Sequence, residues 1–301
     1  MTKDDSKFAL EQPGVERVTV HGLPAVRVST KAVSGLVYLQ GAHVAAWQPA
    51  GKDPVLWMSE NAAYAPGKAL RGGVPICFPW FGPHADHEEF PAHGFARTRP
   101  FEYRGARIDS AGRCELEFGL ADDAQTRTWF PHAFVATLRV AFGASLGLEF
   151  SVENRDPQPF TFEEALHSYF SVGDVTQACV RGLEGARYVD KVREQSVFTE
   201  GPRELRFVAE TDRVYESTAS CMIDDPVGRR TVGIEKENSA ATVIWNPWRE
   251  KATQMTDLGS AAWQGMLCVE SANVGRSRVT LAAGEAHRLR VAISVEARVG
   301  S

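Results

Sequence analysis

The chain has 301 residues with 38 acidic against 33 basic side chains, and its formal net charge of −5 excludes the basic excess that a nucleic-acid or acidic-membrane surface requires. Hydrophobic residues at 44% describe a globular protein able to bury a sizeable core, yet no apolar run approaches the ~18–20 residues of a membrane helix. Five cysteines, Cys77, Cys114, Cys179, Cys221 and Cys268, are odd in number and lack any CxxC pair, so neither a disulfide framework nor a zinc site is expected.

The N-terminus, MTKDDSKFALEQPG, is charged and has no apolar h-region, so it does not read as a signal peptide and a cytoplasmic location is expected. Residues 1–14 read as a loosely ordered extension. Short strand-like runs follow at VERVTV, AVRVS and GLVYL, and again at CELEFGL after a long connection. VATLRVAF and LGLEFSVE alternate apolar and polar residues with a period of two, and the short GAS link between them predicts an antiparallel hairpin. FTFEEALHSYFSV, residues 160–172, reads as one strand near the centre of a sheet. RELRFV, RTVGIEK, ATVIW, RVTL and RLRVAISV complete the series, with AAGEAH as the turn before the last. KATQMTDLG holds at most a turn or two of helix. Many short strands with few helices predict an all-β protein, a large antiparallel β-sandwich or barrel built as a single domain over residues 1–301.

Four stretches carry chemistry. LRGGVPICFPWFGPHADHEEFPAHGFARTRPF, residues 70–101, joins Arg71 and two glycines to Phe78, Trp80 and Phe81, then to His93, Gly94 and Arg97. Aromatic faces suit the apolar C–H faces of a sugar, and an arginine fork matches carboxylate or phosphate. Aromatics packed as core with solvated arginines account for the same composition. HADHEE within it has metal-like spacing, but a solvated acidic loop explains it and no third ligand closes a shell. His167 in LHSYF is either a satisfied core histidine or part of a site, because a buried imidazole needs hydrogen-bond partners. Asp212 in ETDRVY reads as turn chemistry beside a strand end. Trp245 and Trp248 flank the Asn246–Pro247 turn signal. Glu270 directly follows the apolar run Met266–Val269, where desolvation raises a carboxylate's proton affinity and makes a better base. A buried ion pair is the bland reading of Glu270.

The ordered set RGGVPICFPWFGP, PAHGFAR, LHSYF, ETDRVY, IWNPW and CVESANV resembles the hexose-6-phosphate mutarotase family, the glucose-6-phosphate 1-epimerases within the aldose 1-epimerase superfamily, from about residue 15 to the end. The resemblance implies a galactose-mutarotase-like β-supersandwich and an enzyme acting on a small hexose phosphate; its chemistry needs no metal or organic cofactor, and a monomer is expected. It implies His167 as general acid and Glu270 as general base. Arg71 and Arg97 fall on arginines that hold the substrate and its phosphate, Asp212 on a residue that binds sugar hydroxyls, and His93 on a second active-site histidine. Trp80 and Trp248 are candidate sugar-stacking faces. Ala92 departs from a pattern in which a glutamine contributes a ligand contact, which bears on sugar specificity.

The residues suit the implied reaction. Anomers interconvert when the C1 hydroxyl loses its proton, the ring oxygen gains one, the C1–C2 bond of the open aldehyde rotates and the ring recloses. An imidazole with an ordinary pKa of about 6.5 would start protonated often enough near neutral pH to donate first. A neutral-sugar aldose 1-epimerase, a glycosidase using Glu270 and Asp212, and a non-catalytic carbohydrate-binding protein are the alternatives.

Overall fold

The computed structural model describes residues 8–298. The alternating strands form two large antiparallel sheets. One has nine strands in the spatial order Leu205–Arg206, Cys179–Arg181, Cys221–Asp225, Arg230–Glu237, Ala286–Ala297, Leu146–Asn154, Phe134–Phe142, Cys114–Ala121 and Glu102–Ile108. The other runs Ser196–Thr199, Arg187–Asp190, Thr211–Glu216, Ala241–Asn246, Met266–Asn273, Glu164–Leu166 and Ile76–Cys77, with Tyr169–Ser171 also paired to Met266–Asn273. Phe118, Leu138, Phe150 and Leu289 of the first sheet share one buried cluster with Leu166, Ile244, Leu267 and Val269 of the second, so this is a β-sandwich. A four-stranded meander over Val15–Val20, Leu23–Ser29, Val33–Tyr38 and His43–Pro49 completes it, tied to the nine-stranded sheet by the Trp47 indole N–H on the Gly143 carbonyl at 3.1 Å.

The hairpin predicted around the GAS link is present, with Phe142 opposite Leu146. Residues 1–7 of the expected loose extension lie outside the described residues. The remainder is pinned, since Ala9 and Ala106 exchange both backbone hydrogen bonds at 2.8 Å and Arg107 lies over the Phe8 ring. The RVTL run pairs as Val279–Leu281 with Phe160–Phe162, apart from both large sheets. The helix expected over KATQMTDLG begins earlier, as Trp248–Gln254.

FTFEEALHSYFSV is three strands rather than one: Phe160–Phe162, Glu164–Leu166 and Tyr169–Ser171. At the first break Glu163 turns its carboxylate onto the backbone N–H groups of Phe81 and Gly275, at 2.9 and 2.7 Å. At the second, the Ser168 N–H closes back on the Leu166 carbonyl at 2.9 Å and the His167 N–H donates to Pro75 at 3.0 Å. Such irregularities re-aim a side chain that a regular ladder would fix differently.

Candidate active site

Directly opposed residues of antiparallel strands project from the same face. Val189, Val214, Val243 and Glu270 therefore form one row across four strands of the second sheet. Leu166 lies opposite Ser271 and Tyr169 opposite Cys268, so the register is the same on both sides of the second break. That register sets His167 opposite Glu270 and completes the row. The next row on this face holds Asp212, Trp245, Cys268 and Tyr169. Over these rows lies a cavity of about 700 Å³, walled on its far side by the 71–97 connection.

His167 Nε2 stands 3.3 Å from Glu270 Oε1, with both side chains almost fully buried. His167 Nδ1 and Glu270 Oε2 are buried without a hydrogen-bond partner among the described residues. Burial drives the imidazole's proton affinity well below its ordinary value, and His93, Arg97 and Arg71 push it the same way. Burial also raises the Glu270 carboxyl well above the usual carboxylate range, with Asp212 adding to the rise while Lys191 and Arg97 oppose it. Burial thus biases both members of the pair toward their uncharged forms, the imidazole toward neutral and the carboxyl toward protonated. An imidazole that starts protonated, as its ordinary pKa suggested, is not what this dry environment favours.

His93 stacks edge-on to His167, with ring centroids 5.8 Å apart. Its Nδ1 accepts the Gly82 backbone N–H at 3.3 Å, which can only donate, so neutral His93 carries its proton on Nε2. Burial, Arg97, Lys191 and Arg71 all hold it neutral. His93 has φ +63° and is followed by Gly94 at φ +72°, where a Cβ would meet the Phe78 carbonyl oxygen. The glycine is required for the turn that brings His93 into the cavity.

Arg71 reaches the cavity with its guanidinium already engaged: Nε and Nη2 lie 3.1 and 2.9 Å from the Asp257 carboxylate, and Nη1 donates to the Tyr169 hydroxyl at 3.0 Å. Tyr169 in turn stacks on His167 at 4.8 Å and 10°. Arg97 donates Nη2 to the Ala92 carbonyl at 2.7 Å, and its Nε is buried without a partner among the described residues. The position that lacks a glutamine side chain thus holds Arg97 through its backbone. Asp212 lies 3.7 Å from the Lys191 ammonium, and its carboxyl is raised by burial against the pull of Lys191.

The structure brings Arg71, His93, Arg97, His167, Asp212 and Glu270 around one cavity. Trp80 and Trp248 do not line it. The Trp80 indole donates to the Pro91 carbonyl and packs edge-on against Phe95, while Trp248 packs against Trp263 at 4.5 Å. The aromatic faces on the cavity are Phe81 and Trp245. Lys191, Tyr169 and Asp257 carried no signal in the sequence; a charged residue after a short strand reads as solvated. In the HADHEE loop, His87 pairs with Glu89 and stacks on Phe90, and His84 packs on Trp80. All five cysteines are buried free thiols, and burial pushes Cys77 up to about 12, so they stay protonated.

Comparison with known proteins agrees with this architecture. The aldose 1-epimerase family model matches residues 24–294. A protein of Salmonella typhimurium named "Putative glucose-6-phosphate 1-epimerase" is 36% identical over 262 residues, 86% of each chain. A protein of the same name from Escherichia coli is 35% identical over 278 residues, covering 91% of this chain and 92% of its own. The crystal structure of a Salmonella typhimurium protein titled a putative mutarotase superposes with a TM-score of 0.90 at 32% identity over 97% of both chains. The fold extends to a galactose mutarotase-like protein of Clostridium acetobutylicum, with a TM-score of 0.72 at 15% identity over 94% of this chain and 98% of that one. The chain belongs to the aldose 1-epimerase family.

Proposed function

We propose that this protein is a hexose-6-phosphate mutarotase that interconverts the α and β anomers of glucose 6-phosphate or a related aldohexose phosphate. The observation that carries the reading is the Glu270–His167 pair, 3.3 Å apart at the floor of a cavity reached by Arg71, Arg97 and Lys191. Ring opening takes a proton from the C1 hydroxyl and gives one to the ring oxygen, two atoms bonded to the same carbon. A carboxyl and an imidazole that share one proton perform both transfers, and they exchange roles when the ring recloses. Each such group supplies ~10²–10⁴ in rate. The family resemblance assigns the donor role to His167 and the acceptor role to Glu270. His93 Nε2–H and Asp212 then hold sugar oxygens, and Trp245 and Phe81 present apolar faces to the ring. The glycosidase alternative would set the reacting bond between Glu270 and Asp212, whereas the group standing against Glu270 is an imidazole.

NMR exchange spectroscopy on the anomeric protons of glucose 6-phosphate and of glucose tests the reading. Wild type is expected to accelerate exchange of the phosphosugar more than that of glucose. His167→Ala and Glu270→Gln should each lose ~10²–10⁴ of the acceleration. Acceleration of glucose alone would leave a neutral-sugar aldose 1-epimerase. Folded wild-type protein that accelerates neither sugar would leave a carbohydrate-binding protein.

A further inference from the structure

Three basic side chains among the described residues line the cavity, and they differ in how much of their charge and hydrogen-bonding capacity is already used. Arg71 is paired with Asp257 and bonded to Tyr169 through all three of its nitrogens, so its charge is offset at contact. Arg97 has a neutral acceptor only, the Ala92 carbonyl, and makes no ion pair among the described residues. Lys191 lies 3.7 Å from Asp212, beyond hydrogen-bond reach, and its Nζ makes no hydrogen bond among the described residues.

Yet Lys191 is not an ordinary solvated lysine. Its side chain is only 27% exposed, and its ammonium sits over the Phe81 ring, 4.7 Å from the centroid. A cation–π contact holds the charge in place without using any of its three N–H groups. The backbone is fixed as well. Lys191 opens the turn between strands Arg187–Asp190 and Ser196–Thr199, and its own N–H donates to the Asp212 carbonyl at 2.8 Å. At the other end of this turn Glu194 and Gln195 hold positive φ, and Gln195 also lines the cavity. An ammonium held on the cavity wall with its donors unused among the described residues is placed to take an acceptor that enters the cavity. The chemistry that matches three N–H donors and a positive charge is an anion with several oxygens.

Accepting the phosphosugar reading, we propose that Lys191 and Arg97 form the phosphate-recognition pole of the cavity, and that Lys191, rather than Arg71, sets the preference for a phosphosugar over a neutral sugar. Arg71 instead fixes the Tyr169 ring on which His167 rests. The phosphate oxygens take up donors of Lys191 that no group uses among the described residues, and its charge meets a dianion instead of Asp212 at 3.7 Å.

The test is the ratio of kcat/KM for glucose 6-phosphate to that for glucose, measured by the same NMR exchange in wild type, Lys191→Met and Lys191→Arg. Losing a charge-assisted hydrogen bond to phosphate is expected to lower the ratio about 10- to 100-fold in Lys191→Met, with Lys191→Arg retaining most of it. Inorganic phosphate should inhibit wild type competitively and inhibit Lys191→Met at least about tenfold more weakly. Should Lys191→Met not fold, Lys191→Gln reads the same ratio. An unchanged ratio overturns the proposal, as does an equal loss for both sugars, which would confine Lys191 to the setting of Asp212 and Glu270. Wild type that fails to prefer the phosphosugar overturns the phosphosugar reading itself, a result distinct from either.

Discussion

At the scale of single residues, the chemistry depends on where one proton sits between His167 and Glu270. Both groups are buried, and both are displaced toward their neutral forms. The free enzyme therefore gains a second proton only when the pH falls through the depressed His167 value, well below 6.5. It loses its one proton only when the pH rises through the raised Glu270 value, well above 4.5. These apparent limits belong to the pair rather than to either residue. The expected profile of kcat/KM has no acid limb at an ordinary imidazole's pKa, after correction for the substrate's own second phosphate ionisation at about pH 6. An acid limb near pH 6.5 in that corrected profile would mean that His167 titrates as an exposed imidazole, and the dry-pair account would fail.

At the scale of elements, the site is made by an interrupted strand and its neighbours. The residues of Glu164–Leu166 and Tyr169–Ser171 keep one register against Met266–Asn273, and the two residues between them leave the ladder. His167 gains a ring-on-ring support from Tyr169, Tyr169 a donor from Arg71, and Arg71 a counter-charge from Asp257 in the turn after helix Trp248–Gln254. Asp257→Asn should lower kcat roughly 10-fold or more with little change in KM, because it loosens the positioning of His167 without touching the sugar. It should also move the acid limb to lower pH, since an unneutralised Arg71 repels the second proton from His167 more strongly. A purely structural loss would move neither limb. Much of this level was legible beforehand. The period-two alternation marked strands such as Leu146–Asn154, and the desolvated end of an apolar run marked Glu270. Their facing arrangement was not, because residues 167 and 270 meet only through long-range pairing. The break around His167 was hidden as well. Phe, Thr, Tyr and Val favour an extended backbone whether or not the ladder continues, and the partners that stop it, Pro75, Phe81 and Gly275, are remote in sequence. Trp80 misled because a tryptophan in a loop has the same composition whether it faces a ligand or caps a core.

At the scale of the whole molecule, two kinds of ion pair act on the sandwich, and their burial decides which one matters. On the outer face of the nine-stranded sheet, Glu117, Arg139, Glu149, Arg290 and Glu237 lie opposite one another across five strands in alternating sign. Arg139 and Arg290 are nearly half exposed, so solvent screens this ladder and each contact adds little. Glu164 differs, for it is fully buried in the eight-stranded sheet's own strand and pairs across to His287 of the nine-stranded sheet at 2.9 Å. Asn273 donates to the same carboxylate oxygen at 2.8 Å. The pairing with Glu164 outweighs partial burial and raises the His287 pKa above its ordinary value, although burial acts against it. A raised folded pKa means that the folded state binds the proton more tightly. The pair's contribution is therefore complete below about pH 6.5 and is lost as the pH rises through the folded value. His287→Ala leaves a buried carboxylate without its counter-charge and should cost about 3 kcal/mol or more at pH 6. The difference between wild type and His287→Ala, read by urea unfolding, should shrink steadily toward pH 9. Adding Glu164→Gln to His287→Ala should recover part of the loss, because it removes the uncompensated charge while keeping the side chain's volume. A wild-type advantage that stays constant from pH 6 to pH 9 would show that His287 contributes packing alone, and the two sheets would then be joined at this point only by their apolar core.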